Sequence, residues 1–160
     1  MNRREKLRLA ARAKRAGARY CYRIVDEADK ARIPIALGFA LCEQETGFQN
    51  IFGHDPTIFA GAGEVTKKKY LRYKRQRGPT GRGGMQGVGV TQLTYYSFQD
   101  RADHLGGCWR IRPQLKVAFE LVRSFIQAGG EHEIWRYNGA KEYGPEVLKK
   151  KKKWHRVLFP

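Results

Sequence analysis

Two carboxylates close an apolar run in the segment Ala40-Leu41-Cys42-Glu43-Gln44-Glu45-Thr46-Gly47-Phe48. On a helix, Glu43 and Glu45 project roughly 200° apart, so one can face a cleft while the other is structural. A glutamate near a helix end is commonly solvated or salt-bridged. Here large apolar neighbours favour desolvation, which raises a carboxyl pKa, and the negative end of the helix disfavours the ionised form further. A carboxylic acid still protonated at neutral pH is what glycosidic cleavage needs, because the leaving oxygen departs poorly until it is protonated. A third acid, Asp55, lies ten residues past Glu45 in Phe52-Gly53-His54-Asp55-Pro56-Thr57. It could activate water as a second catalytic carboxylate, or simply bond its own backbone in an Asp-Pro turn. Glu64 and His54 are secondary candidates.

The elements that must position these groups are mostly helical. Leu7, Ala11, Ala18, Cys21, Val25 and Ala28 recur at helical spacing and predict one long helix over residues 5–30, with Arg8, Arg12, Arg15, Arg19 and Arg23 as a basic stripe on another face. Pro34 can open a second helix and Gly47 can end it. That helix is apolar nearly all round, which predicts a central position. Val65-Thr66 and Tyr70 to Tyr73 read as short strands, followed by a mobile glycine-rich loop at residues 78–84. Helices are expected again over residues 95–105, from Pro113 to Gly129-Gly130, around Ile134 to Tyr137, and from Tyr143 to about Val157. The expected architecture is a single domain spanning 1–160, mainly α in an α+β arrangement: a helical domain around a central buried helix, with a small β-hairpin lobe.

Composition narrows the partners. The chain has 160 residues, 41% hydrophobic, enough for a core and not disordered in composition. A formal net charge of +17 predicts attraction to polyanions: nucleic acid, anionic lipid or acidic wall polymers. No segment approaches the roughly 18 apolar residues of a membrane span. The first residues lack the apolar stretch of a signal peptide, so export would need another route. Cys21, Cys42 and Cys108 are expected to be buried, reduced thiols. His54, His104, His132 and His155 show no zinc-ligand spacing, so no metal or organic cofactor is implied.

Three motifs in order carry a resemblance. They are Glu45-Thr46, Gly87-Val88-Gly89-Val90-Thr91-Gln92-Leu93-Thr94, and Tyr137-Asn138-Gly139. Together they resemble the lysozyme-like superfamily on the side of goose-type lysozymes and lytic transglycosylases, and more closely lysozyme-like domains of endolysins from phages of actinobacteria. The resemblance covers residues about 34–150. It departs at Thr46, where the family has serine, and in the long basic insert before Gln92. It implies cleavage of the β-1,4 glycan strands of peptidoglycan with Glu45 as the acid. Gln92 would bond sugar or backbone, Tyr137 would border Glu45, and Asn138 would orient the chain or a sugar acetamido group. It also implies a monomer, made in the host cytoplasm and acting on the cell wall and its anionic polymers.

Other readings stay open. Gln92 suits a polar cap of the following helix, and Tyr137-Asn138-Gly139 suits a helix-ending turn. Asp55 divides a hydrolase from a transglycosylase, which uses the sugar's own hydroxyl as nucleophile. The charge and the tyrosines among the basic residues 67–82 would also fit a nucleic-acid-binding module, although no recognised binding motif is present and such binding would be non-specific. A non-catalytic wall-binding or virion protein on the same fold is the third reading.

Overall fold

A computed structural model describes residues 1–53 and 61–160. The described residues are mainly helical. In chain order they form α1 (Arg3–Arg15), α2 (Cys21–Ala31), α3 (Ile35–Thr46), α4 (Lys67–Arg77), α5 (Tyr96–His104), α6 (Ile111–Gly129), a 3-10 helix (Glu131–Tyr137) and α7 (Tyr143–Leu158). Helix α3 is buried continuously from Ala36 through Cys42. It packs against α7 on one side and α2 on another. A Cβ on Gly38 would lie 3.0 Å from the Phe119 ring and 3.4 Å from Ala28 Cβ, so this glycine sets how closely α6 and α2 approach. Full burial of Leu37, Phe39 and Leu41 stabilises the fold by about 1.5–3 kcal/mol for each side chain.

Two expectations are corrected. The helix expected over residues 5–30 is two helices. Helix α1 stops at Arg15, Gly17 turns left-handed at φ 88°, Tyr20 follows at φ 56°, and α2 restarts at Cys21. The apolar periodicity runs on across the break, so only Gly17 signals it. The strand expected at Tyr70 to Tyr73 is part of α4, and Thr66 is its N-cap, accepting from Lys69 N at 3.3 Å. Tyr70, Tyr73 and Arg77 recur at i, i+3 and i+7 and are all buried, a helical stripe that outweighs the β preference of tyrosine. Among the described residues β pairing is confined to isolated antiparallel bridges of Ile51 with Glu64 and Phe52 with Val88.

Polar groups lock the periphery. The Tyr70 hydroxyl donates to Asp103 at 2.9 Å, Lys74 pairs with Asp103 at 2.5 Å, and Arg77 pairs with Asp100 at 2.7 Å, which fastens α4 to α5. Asp26 and Glu27 of α2 are buried and meet Arg112 of α6 at 2.6 and 2.5 Å, while Lys6 of α1 reaches Asp26 at 2.9 Å. Burial pushes the Asp26 carboxyl up, but hydrogen bonds from Lys30, Arg112 and Lys6 outweigh it and hold the group well below the usual carboxylate range. All three cysteines are buried free thiols. Among the described residues no helix is long and apolar enough to cross a membrane.

Candidate active site

The end of α3 is gripped by α7, one residue at a time. Glu43 pairs with Lys153 and accepts from the Trp154 indole at 2.8 Å. Gln44 accepts from Lys150 at 2.7 Å and donates to Glu146 at 2.7 Å. Glu45 accepts a hydrogen bond from the Tyr143 hydroxyl. As α3 advances from 43 to 45, its partners on α7 step back from 154 to 143, so the two helices run antiparallel. Trp154 is buried, stacked on Phe39 at 5.0 Å and edge-on to Phe48 at 5.5 Å. Glu43 therefore satisfies the one polar atom of an aromatic cluster. Glu43→Gln should lower stability by about 1–2 kcal/mol, through the lost charge on that hydrogen bond. A urea melt measures it; a variant as stable as wild type contradicts the assignment.

Past Glu45 the chain turns sharply. Gly47 and Phe48 are both left-handed, at φ 59° and 66°, and Phe48 N reaches back to Cys42 O at 3.1 Å. Thr46 Oγ1 donates to Val90 O at 3.2 Å and accepts from Gln49 N at 3.1 Å. The Tyr137 hydroxyl donates to Thr91 O at 2.6 Å. The three segments singled out in the sequence thus meet at Val90-Thr91. Buried Gln114 fixes that point from α6: it accepts from Val90 N at 3.0 Å and donates to Cys108 O at 2.7 Å and Asn50 Oδ1 at 3.0 Å.

The other expected site residues fall as follows. Gln92 is left-handed at φ 49°, and its side-chain nitrogen donates to Ile51 O and Gly89 O, both at 2.9 Å. It secures backbone at the bridges. Tyr137 gives its hydroxyl to Thr91 and lies close enough to Glu45 to feel its charge, while the tyrosine that hydrogen-bonds Glu45 is Tyr143. Asn138 is exposed at the end of the 3-10 helix and its side chain makes no hydrogen bond among the described residues. Glu64 is exposed, with its backbone bridged to Ile51. Asp55 and His54 lie outside the described residues. The described residues hold no cluster of histidine, cysteine and acidic groups suited to a metal.

Sequence reasoning missed Tyr143 and Gln114. Tyr143 shares a buried face with Val147, Trp154 and Leu158, so its burial was readable but its partner was not. Gln114 sits three residues after Ile111 and four before Ala118, a polar residue inside an apolar stripe, and that mismatch was the available signal.

Electrostatics favour a protonated acid. Burial pushes the Glu45 carboxyl up from its ordinary 4.5 to about 7, against the opposing pull of the Tyr143 hydrogen bond. The rings of Tyr143 and Tyr137 stack at 6.5 Å and 12°. Burial first, and then the charge of Glu45, push both hydroxyls above the ordinary tyrosine value, so both stay donors. Burial and Glu45 push the Cys42 thiol up as well, leaving it neutral behind the acid. If Glu45 donates the proton, activity falls as pH rises through about 7. Tyr143→Phe removes the hydrogen bond that favours the carboxylate, so the alkaline limb should move to higher pH. A limb unmoved or moved down in a pH–rate profile contradicts this role.

No protein-family model, curated protein or solved structure matches this chain.

Proposed function

We propose that this protein cleaves the glycan strands of bacterial peptidoglycan on a lysozyme-like α+β fold, with Glu45 as the general acid. The observation that carries the reading is the state of Glu45: a half-buried carboxyl raised to about 7 and oriented by one buried tyrosine. It stands where the segments bearing Thr46, Val90-Thr91 and Tyr137 converge. Such a group holds its proton near neutrality and can deliver it to the glycosidic oxygen as the C–O bond breaks, leaving an oxocarbenium-like sugar. The step is common to both outcomes of glycan cleavage. Water captures the sugar in hydrolysis, and the sugar's own 6-hydroxyl captures it in transglycosylation. Anionic wall polymers are the proposed surface partner, attracted by the net charge of +17.

Mass spectrometry of muropeptides after digestion of purified peptidoglycan tests the reading. New disaccharide-peptide products are expected, and their ends, reducing or 1,6-anhydro, assign the outcome. An undigested glycan, with the protein folded, overturns it.

A further inference from the structure

The cations of this protein are unequally used. On α7, Lys150, Lys151 and Lys153 are engaged by Gln44, Glu131 and Glu43. On α4, Lys67 lies over the Trp109 ring, Lys69 reaches Ala62 O, Lys74 binds Asp103, and Arg77 is buried on Asp100. Lys68, Arg72 and Arg75 of α4 and Lys149, Lys152 and Arg156 of α7 are exposed without a partner among the described residues. Helix α1 carries the largest such set: Lys6 and Arg12 are engaged, but Arg3, Arg4, Arg8, Lys14 and Arg15 are exposed and pair with no carboxylate among the described residues. At 100° per residue they fall within an arc of roughly 140°, on the side away from buried Leu9 and Ala13.

That arc is not purely polar. Leu7, 50% exposed, lies inside it and is the most exposed leucine among the described residues. Ala11 lies beside Leu7, and a groove of about 500 Å³ opens next to them, lined by Leu7, Ala11, Tyr20 and Tyr22 with Lys14 and Arg19 at its edge. Exposed Phe159 follows directly on Leu158, whose carbonyl accepts from Arg12 at 2.7 Å. A face that mixes free arginines with exposed apolar groups suits a partner that is anionic and greasy at once. A bilayer of anionic phospholipid has both properties: the phosphates take the cations, and the interfacial hydrocarbon takes Leu7 and the groove. A soluble polyanion would use the charge and leave the leucine in water.

We propose that the outer face of α1 docks on anionic membrane surfaces. This goes beyond glycan cleavage and does not rest on it. Arg12 holds the far end of α7 from Tyr143, about 22 Å away along the helix at 1.5 Å per residue.

The test is sedimentation of the intact protein with sucrose-loaded vesicles, of phosphatidylcholine alone or with one-third phosphatidylglycerol. Wild type is expected to bind the anionic vesicles and not the neutral ones. The triple variant Arg4→Gln, Arg8→Gln, Arg15→Gln should lose on the order of 100-fold in partitioning. A charge-matched triple of exposed lysines elsewhere, Lys116→Gln, Lys141→Gln, Lys149→Gln, should lose less than about fivefold. Leu7→Gln, neutral and on the surface, should lose several-fold, with an unchanged melting temperature. Equal losses for the two triples, or equal binding to neutral vesicles, overturn the proposal. So does full binding by Leu7→Gln with short duplex DNA displacing the vesicles, which would give the face to soluble polyanions instead.

Discussion

Glu45→Gln is expected to slow wall lysis by roughly 10³-fold or more while leaving the fold intact. The magnitude follows from general acid catalysis, which contributes about 10²–10⁴-fold. Glutamine keeps the side-chain shape and can still accept from Tyr143, so only the proton is lost. A second consequence separates this variant from a merely structural one. The folded-state value of Glu45, about 7, lies above its ordinary 4.5, so the folded chain binds that proton more tightly than the unfolded chain. The resulting stability is full below about 4.5 and is lost as pH rises through about 7. Glutamine does not titrate, so the melting temperature of Glu45→Gln relative to wild type should climb over that window. Melts at pH 4 and pH 8, beside a turbidity assay at the pH optimum, check both. The assignment fails if Glu45→Gln lyses walls normally while Glu43→Gln is inactive.

How far the sequence alone could reach is shown by particular residues. The central helix was readable because Ile35 to Cys42 holds no charged side chain, and an all-apolar helix has only one place to go. The roles of Glu43 and Glu45 were readable only as a divergence of direction. Which one meets Trp154 and which meets Tyr143 depends on α7, whose contacts are more than 90 residues distant in sequence. The strand expected at Tyr70 to Tyr73 is helical in α4 because the spacing of these tyrosines with Arg77 puts all three on one buried helical face. The split between α1 and α2 was hidden by a hydrophobic register that continues through it. The resemblance left Gln92 to bond sugar or backbone; in the fold its amide nitrogen is committed to the backbone of Ile51 and Gly89. A side chain's type is visible in sequence, but the carbonyl it will satisfy belongs to another part of the chain.

Gly89→Ala should be the most destabilising single-methyl change in this region, by about 4 kcal/mol or more, and should abolish activity with it. Three costs coincide. Gly89 stands at φ 83°, where an L-residue is strained by about 1–2 kcal/mol. A Cβ there would overlap the Gln114 carboxamide. That carboxamide cannot step aside freely, because it is buried and holds Val90 N, Cys108 O and Asn50 Oδ1, each costing about 1–3 kcal/mol if left unpaired. Val90-Thr91 is also where Thr46 and Tyr137 attach, so displacing the turn loosens the surroundings of Glu45. Gly139→Ala is the matched control: it has φ 90° and nothing within 4 Å of its added methyl, so it carries the backbone strain alone. Urea unfolding of both variants isolates the overlap as their difference, expected at about 2–3 kcal/mol. If Gly89→Ala loses no more than Gly139→Ala, the glycine serves backbone conformation only, and the packing of Gln114 against the turn is not what fixes the site.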